Sequence, residues 1–280
     1  MDNFDIYKLK EAGLTNQQVI NVLSYAEIQE KELSVKDMAV VSECRNPALF
    51  IEKYLQLDDD LLRQEFEKFS SFSILDDVYP WDLSEIYNPP VLLFYKGNLD
   101  LLKLPKVAVV GSRNSSRVGS QSVQKIIKEL SNELVIVSGL ARGIDTSAHM
   151  AALQNGGRTI AVIGTGLDVF YPRANKKLQS YLGEHHLVLS EYSSEAEPLK
   201  FHFPERNRII AGLSRAVIVA EARMRSGSLI TCERAMEEGR DVFAIPGSIL
   251  DGRSDGCHHL IQEGAKLVTS GRDVLDEFEF

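Results

Sequence analysis

Eight basic side chains lie in loops that follow short apolar runs of this chain. They are Arg113, Arg142, Arg173, Lys200, Arg206, Arg208, Arg223 and Arg225. A guanidinium group binds phosphate through paired hydrogen bonds and also stacks on bases. Phe170, Tyr171, Phe201 and Phe203 lie beside these residues, where they can stack on bases. The pattern favours an extended polyanion as the ligand.

A structural interpretation of the same residues is also open. Phe201 and Phe203 can belong to the core, and about half of the arginines can pair with nearby acids such as Glu205 and Glu221. The sequence gives no means of choosing between the two interpretations for most single arginines. Arg113 is the strongest candidate, because it comes directly after the first predicted strand.

Patterns for catalysis are weak. Asp145, Ser147 and His149 lie at i, i+2 and i+4, a spacing that cannot bring three side chains of one helix together as a nucleophilic triad. We predict that Asp145 caps its helix and that His149 packs beneath it. Glu233 is a conceivable general acid or base, but a lone glutamate on a helix is usually only solvated. Nothing in these patterns demands an enzyme.

Motifs for cofactors and metals are incomplete. The run Gly164-Thr165-Gly166 matches half of the dinucleotide fingerprint, because residue 169 is valine, and no P-loop motif occurs. The three cysteines are scattered without a Cys-x-x-Cys pair, and neighbouring histidines such as His185 and His186 diverge on a helix or strand. We predict no cofactor, metal site or disulfide.

The elements that position these loops form a repeating pattern from residue 106 onward. Apolar runs at 107–110, 134–137, 159–163, 187–189, 216–220 and 242–245 alternate with helical stretches. Strands without polar alternation are buried on both faces, and such alternation is typical of a doubly wound, mostly parallel sheet of Rossmann type. Ligands bind these α/β sheets at the carboxyl ends of the strands, where the basic loops lie.

The N-terminal third has a different character. Residues 1–70 predict a small all-α domain, with a capping box at 15–18 and further helix starts at Ser34, at Asn46-Pro47 and at 58–60. Residues 71–105 are rich in proline and aromatic residues and contain a strand-like run at 91–97. We predict that 71–105 is a connector that packs on a Rossmann domain at 106–280.

Composition and charge limit the class of protein. The 280 residues are 44% hydrophobic and 25% charged, as in ordinary globular proteins. Residues 1–105 hold 19 acidic and 10 basic side chains, whereas 106–280 hold 21 of each, so the net charge of −9 lies entirely in the first third. An anion-binding face on the remainder is therefore compatible with the overall acidity. No apolar stretch is long enough for a membrane span and the N-terminus is acidic, so we expect a cytoplasmic protein.

Five motifs in one order resemble the DprA/Smf family of DNA-processing proteins, over about residue 79 to the C-terminus. They are VAVVGSR (107–113), SGLARGID (138–145), TIAVIGTGLD (159–168), FPERNRIIAG (203–212) and SGSLIT (226–231). Residues 1–70 also resemble, more weakly, the sterile-alpha-motif-like (SAM-like) domain of Gram-positive members, and the sequence as a whole has a streptococcal character.

This resemblance implies a non-enzymatic protein that binds single-stranded DNA, protects incoming DNA in natural transformation and loads the RecA recombinase onto it. The predicted DNA-binding residues are Gly111, Ser112, Arg113, Ser138, Gly139, Arg142, Gly143, Asp145, Gly164, Gly166, Arg173, Lys200, Phe203, Arg206, Asn207 and Arg208. Members of the family form homodimers through the C-terminal part of the Rossmann domain, where Met236, Ile261 and Leu267 are apolar candidates, although all three can equally be core residues.

Two other functions stay open. A nucleotide phosphoribohydrolase of the lysine-decarboxylase-like (LOG) family has a similar Rossmann domain, but residues 225–231 lack that family's diglycine and its correctly spaced glutamate. A protein scaffold whose loops bind nothing is the third possibility. The acidic N-terminal domain has no evident DNA role, and we predict that it contacts proteins or assists oligomerisation, which deletion of residues 1–70 would test.

Overall fold

A nine-stranded sheet with helices on both faces forms the centre of the protein, in a computed structural model that describes residues 1–29, 32–130 and 133–278. The strands are β1 (Ser70–Ser73), β2 (Leu92–Gly97), β3 (Lys106–Gly111), β4 (Val135–Ser138), β5 (Thr159–Ile163), β6 (Leu187–Ser190), β7 (Ala216–Ala220), β8 (Asp241–Ala244) and β9 (Lys266–Leu267). The predicted α/β class is confirmed. The two-residue strand β9 was not predicted, because two residues are too short for a recognisable pattern.

Helices account for most of the remaining chain. They are α1 (Asn3–Glu11), α2 (Asn16–Gln29), α3 (Val35–Val41), α4 (Pro47–Gln56), α5 (Asp59–Phe66), α6 (Trp81–Ser84), α7 (Arg117–Leu130), α8 (Ile144–Gln154), α9 (Lys176–His185), α10 (His202–Leu213), α11 (Gly227–Glu237), α12 (Asp255–Gln262) and α13 (Arg272–Leu275). Short 3-10 turns lie at Leu99–Lys103 and Arg173–Asn175. No helix of the described ranges has the length and apolar character needed to cross a membrane.

The order of strands locates the crevice of the sheet. Neighbouring strands follow the order β1-β2-β6-β5-β4-β3-β7-β8-β9, in which β2 pairs antiparallel with both β1 and β6 and all other neighbours pair in parallel. The chain therefore runs outward from β3 to β6 in one direction and from β7 to β9 in the other. Between β3 and β7 the connecting helices change faces, and this change opens a crevice at the carboxyl ends of the two strands.

The core extends over both faces of the sheet, because the parallel strands are apolar at every position. In β3, Ala108 and Val110 face one layer while Val107 and Val109 face the other. Helices α10, α11 and α12 cover the first face, and α7 and α8 cover the second. Val123, Ile126, Ile127 and Leu130 of α7 recur at helical spacing and form its buried stripe.

The helices of the N-terminal domain begin largely where the sequence predicts. Thr15 and Gln18 form the predicted reciprocal cap before α2, and Ser34, Asn46 and Asp58 cap the three helices that follow. The structure adds α1, which the sequence reasoning missed. Its signal was present, because Asp2 and Asp5 form a capping box of their own.

This helical domain packs directly on one end of the sheet. Tyr7 of α1 and Phe66 of α5 contact Phe94 of β2, with ring centroids 5.5 and 5.8 Å apart. Ile163 and Leu182 belong to the same buried cluster. Deleting residues 1–70, as the sequence suggested, would therefore uncover part of the sheet core as well as remove the domain. Substitutions on the outer face of the domain are the better test of its role.

Candidate nucleic-acid interface

A groove follows the carboxyl ends of β3, β4, β5 and β7. It consists of two cavities of about 780 and 600 Å³. Five residues line both cavities, which makes the groove continuous: Arg113, Ala141, Tyr171, Phe203 and Arg206. The crevice between β3 and β7 is its first part, and the loops after β4 and β5 border the second.

The loop after β3 is held close to α8 by glycines. A side chain on Gly111 would overlap the carbonyl of Ala220 and the side chain of Ile144. Gly143 has a φ of +78°, and a side chain there would overlap the carbonyl of Ser112. The Ser112 carbonyl accepts a hydrogen bond from the Ile144 amide at 3.1 Å. These contacts fix the backbone that presents Arg113.

Arg206 of α10 forms the inner wall of the groove and is itself buried. Its Nη1 donates to the carbonyl oxygens of Gly139 and Val162, both at 2.5 Å, and thereby joins the loop after β4 to β5. Burial lowers the pKa of the Arg206 guanidinium to about 10, so it stays protonated at neutral pH. Burial also raises the pKa of Asp145, which the positive charge of Arg206 opposes. Arg206 therefore positions the loops around it.

Two further polar side chains hold the loop after β4. The Asp145 carboxylate accepts a hydrogen bond from the Ala141 amide at 3.3 Å, so it supports the loop before α8; the prediction that it caps the helix is wrong, because the N-cap residue is Gly143. Asn175 donates to the Leu140 carbonyl and to the Thr146 hydroxyl, both at 2.8 Å. Asn175 was missed by sequence reasoning, and its only signal was its place two residues after Arg173.

Six exposed cations lie at this groove: five line it, and Arg225 precedes Ser226, which lines it. They are Arg113, Arg142, Arg173, Lys200, Arg223 and Arg225. Within the described part of the chain, none of the six forms an ion pair with an acidic side chain. Unpaired exposed cations concentrated at one edge of a sheet create a positive potential that attracts anions.

Aromatic rings lie among these cations. Tyr171 and Phe203 are in contact with ring centroids 5.4 Å apart, and the Arg113 guanidinium lies 5.4 Å from the centroid of Phe203. Phe201 is 63% exposed and Phe203 is only half-buried. The alternative that Phe201 and Phe203 are core residues is therefore wrong. Phe203 lines the groove, whereas Phe201 lines a separate cavity beside the helical domain.

Several residues that line the groove lie on one face of helix α10. Phe203, Arg206, Asn207 and Ile210 all line the larger cavity. Their i, i+3, i+4 and i+7 spacing is the signal by which the sequence could have shown that they share a face. Arg208 lies off this face and points toward the helical domain.

Backbone strain is concentrated in the same loops. Leu140, Glu221 and Arg225 have positive φ values of 57°, 48° and 60°, which are unusual for residues with a side chain. Glu221, at the end of β7, accepts hydrogen bonds from the Ser116 amide, at 2.6 Å, and from the Ser116 hydroxyl. It is a groove residue that the sequence analysis offered only as a partner for arginine. Strained loops of this kind cluster at functional sites.

The predicted DNA-binding residues fall into two groups. Those that line the groove are Gly111, Ser112, Arg113, Gly139, Arg142, Asp145, Gly164, Arg173, Lys200, Phe203, Arg206 and Asn207. Ser138, Gly143, Gly166 and Arg208 do not line it. Ser138 is buried and donates to the Val109 carbonyl, and Gly166 packs against the carbonyls of residues 193 and 194. Ser138 and Gly166 therefore support the loops after β4 and β5 without lining the groove.

Arg208 is turned away from the groove toward the helical domain. Its Nη2 donates to both carboxylate oxygens of Glu191, at 2.6 and 2.5 Å, and Asn16 of α2 donates to the same carboxylate at 2.9 Å. Lys10 of α1 in turn donates to Asn16 at 2.8 Å. Arg208 thus belongs to a polar network that joins the helical domain to the sheet.

The residues considered for catalysis are not assembled as a triad. His149 is buried with its Nδ1 2.7 Å from the Thr159 hydroxyl, while Ser147 contacts the Ser120 hydroxyl. Burial lowers the pKa of His149 to about 3, so the imidazole is neutral at physiological pH. In the described ranges, no cluster of three or more His, Cys, Asp or Glu side chains is arranged to hold a metal ion.

The three candidates for dimerisation lie apart from the groove. Met236 of α11 and Leu267 of β9 are exposed, whereas Ile261 of α12 is partly buried against the core. Two of the three apolar side chains are therefore available to a partner.

Known proteins resemble this chain over its whole length. A family model described as DNA recombination-mediator protein A matches residues 70–279, and a model described as the DNA processing protein A sterile alpha motif domain matches residues 1–62. The DNA processing protein DprA of Streptococcus pneumoniae is 76% identical over 278 residues, which cover 99% of each chain. The DprA protein of Bacillus subtilis is 45% identical over 80% of this chain and 76% of its own.

Solved structures show the same relationship. The X-ray structure of DprA from S. pneumoniae superposes with a TM-score of 0.98 at 75% identity, covering 100% of this chain and 99% of the other. DprA from Helicobacter pylori, whose structure was described for its single-stranded DNA binding mode, superposes with a TM-score of 0.67 at 30% identity. That match covers 75% of this chain and 96% of the H. pylori chain.

Proposed function

Because this chain belongs to the DNA recombination-mediator protein A family, we propose that it binds single-stranded DNA in the groove at the carboxyl edge of its sheet. The observation that carries the proposal is a continuous groove in which exposed cations surround a pair of accessible aromatic rings, and these cations have no acidic partner among the described residues. The DNA-binding role described for the H. pylori relative supports it.

The groove offers separate contacts for phosphates and for bases. Arg113, Arg142 and Arg173 border the second cavity and can each bind a phosphate of a passing strand. Tyr171 and Phe203 present their rings between these arginines, where unpaired bases can stack. In a duplex the faces of the bases are covered by their neighbours. A groove that combines cations with aromatic platforms therefore favours a single strand.

The wider role is proposed with it. We propose that the protein acts in the cytoplasm, covers incoming DNA during natural transformation and loads RecA onto that DNA, without catalysing a reaction. Among the residues that the structure describes, those that line the groove form no arrangement that resembles a catalytic centre, and Glu233 is exposed on α11 and does not line the groove. The loading step is tested by following the assembly of RecA filaments on DNA that is coated with a single-strand-binding protein. The rate of assembly is compared with and without this protein.

The decisive experiment for DNA binding is fluorescence anisotropy with a labelled oligonucleotide and its duplex, titrated at several salt concentrations. We expect tighter binding of the single strand, with an affinity that falls as salt rises, because phosphate contacts release counterions. Equal affinity for both forms, or none at low salt, would overturn the proposal. Release of free base from a nucleoside monophosphate would instead favour the phosphoribohydrolase.

Replacing Phe203 with alanine tests the aromatic platform. The change removes the ring between Tyr171 and Arg113, and the loss of one stacked base costs about 1–3 kcal/mol, so we expect affinity to fall about 5- to 150-fold. The salt dependence should stay unchanged, because no phosphate contact is lost. Phe203→Tyr, which keeps the ring, is the control, and an alanine variant with wild-type affinity would contradict the stacking role.

Homodimerisation is proposed through the exposed apolar side chains of the C-terminal part. Replacing Met236 and Leu267 together with glutamate places charges on that surface, and we expect sedimentation velocity to show a shift from dimer to monomer. Glutamate at Val40, an exposed residue of α3, is the matched control. A doubly substituted protein that sediments as a dimer would assign the interface elsewhere.

A further inference from the structure

An exposed apolar loop lies next to the groove, and neither the sequence motifs nor the proposed function accounts for it. Residues 245–254 connect β8 to α12, and we call them the β8–α12 loop. Ile249 and Leu250 at its tip are 82% and 91% exposed. Val118, at the start of α7, is also exposed, at 70%. Adjacent exposed aliphatic side chains mark surfaces that another molecule covers.

Contacts hold this loop beside Arg113. The Arg253 guanidinium donates from Nη1 to the carbonyl of Asn114 at 3.1 Å, one residue beyond Arg113. On the other side, the Gly247 amide donates to His258 of α12 at 3.3 Å. The position of the loop relative to the groove is therefore set by hydrogen bonds at both of its ends.

A small cavity joins the loop to the groove. It has a volume of about 170 Å³ and is bordered by Val118 and Gly119 of α7, by residues 245–248 and by Arg253. Glu221 lines both this cavity and the larger cavity of the groove. The two cavities therefore meet at the buried Glu221, and the Arg253–Asn114 hydrogen bond brings the β8–α12 loop to the residue that follows Arg113.

The exposed cations between the loop and the groove, Arg113 and Arg117, favour a nucleic acid as the occupant. Arg117 is exposed beside Val118, and within the described ranges it forms no ion pair. Asp251 lies 3.7 Å from the Arg253 guanidinium, so these two charges offset each other, and the exposed Asp255 at the start of α12 is the other acidic side chain next to the loop. Apolar side chains with neighbouring cations complement a strand of unstacked bases and phosphates.

We propose that Ile249, Leu250 and Val118 contact the bases of a DNA strand after it leaves the groove past Arg113, and so extend the bound segment beyond the groove. This inference rests on the proposed binding of single-stranded DNA in the groove. The groove supplies the primary contacts. The β8–α12 loop increases the number of nucleotides that one protomer binds.

Oligonucleotide length separates the loop from the groove. The test compares the affinities of the wild type and of the double variant Ile249→Ser, Leu250→Ser for single-stranded oligonucleotides. Their lengths run from about 4 to about 16 nucleotides, the range of site sizes for single-strand binders. We expect equal affinities for the shortest strands and about ten-fold weaker binding of the longest by the variant. Val40→Ser, equally exposed on α3, is the control and should match the wild type at every length.

A fluorescent reporter provides a second measurement that does not depend on loss of affinity. Trp81 is the only tryptophan of the chain, so Trp81→Phe with Leu250→Trp places one indole at the loop tip. We expect long strands to quench its emission by stacking and the shortest strands to leave it unchanged. The same reporter at Val40 should not respond to DNA.

The outcomes separate this inference from the proposed function. If the wild type binds DNA and depends on Arg113, but the serine variant matches it at all lengths and the reporter is silent, only the role of the loop is wrong. If the serine variant sediments at a different mass without DNA, a second copy of the chain covers the loop and the inference is overturned. If the wild type binds no single strand, both proposals fail together.

Discussion

Replacing Arg113 with glutamate is expected to weaken the binding of single-stranded DNA about 100-fold at low salt, which corresponds to about 2.7 kcal/mol. Arg113 borders both cavities of the groove, is exposed, and lies over the ring of Phe203. Charge reversal removes a phosphate contact and puts a repulsive carboxylate at the point where the two cavities meet. Because one fewer counterion is released, the slope of log affinity against log salt should fall by about 0.7.

The control for this experiment carries the same change of charge far from the groove. Arg272 of α13 is 85% exposed and lies beside the C-terminal end of α7, since the adjacent Gly271 amide is hydrogen-bonded to Glu129. Arg272→Glu should bind DNA like the wild type. Equal weakening in both variants would show that only net charge matters, and wild-type affinity in Arg113→Glu would remove the groove as the DNA site. Arg113→Lys, which keeps the charge but loses the paired donors, should lie in between.

The second large effect is expected on stability. Arg206→Met removes the guanidinium that donates to the carbonyls of Gly139 and Val162 and that offsets the buried carboxylate of Asp145. Methionine fills much of the volume but leaves two buried carbonyl groups without their donor. We expect the free energy of unfolding to fall by about 3–5 kcal/mol and Tm to fall by about 10 °C, measured by urea and thermal unfolding.

Arg173→Met is the matched comparison for Arg206→Met. Arg173 borders the same groove but is exposed and has no acidic partner in the described part of the chain, so its loss should change stability by less than about 0.5 kcal/mol. The Arg173 variant should lose DNA affinity instead. If Arg206→Met is as stable as the wild type, the two carbonyl groups find other partners and Arg206 is not the support that its contacts indicate.

The strands, and the loops that follow them, show where sequence reasoning succeeds. Burial on both faces of a strand and alternation with helices are local patterns, so the α/β class is recovered and four of the six apolar runs lie within strands of the structure. The runs at 134–137 and 242–245 are each shifted by one residue, relative to β4 and β8. Because parallel strands place their carboxyl ends on one edge, the same patterns also indicate that the loops carrying Arg113, Arg142 and Arg173 share that edge.

Sequence alone determined the class of fold, the helical start of the chain and the edge of the sheet at which the basic loops gather, since each depends on periodicity and capping within short segments. Only the tertiary structure decided which basic residues are free to bind. Arg206 and Arg208 lie two positions apart on α10, yet one is bonded to carbonyls of β5 and the β4 loop and the other to Glu191 after β6. The groups that bury and satisfy a guanidinium come from strands distant in the sequence, and no local pattern records which of them will surround it.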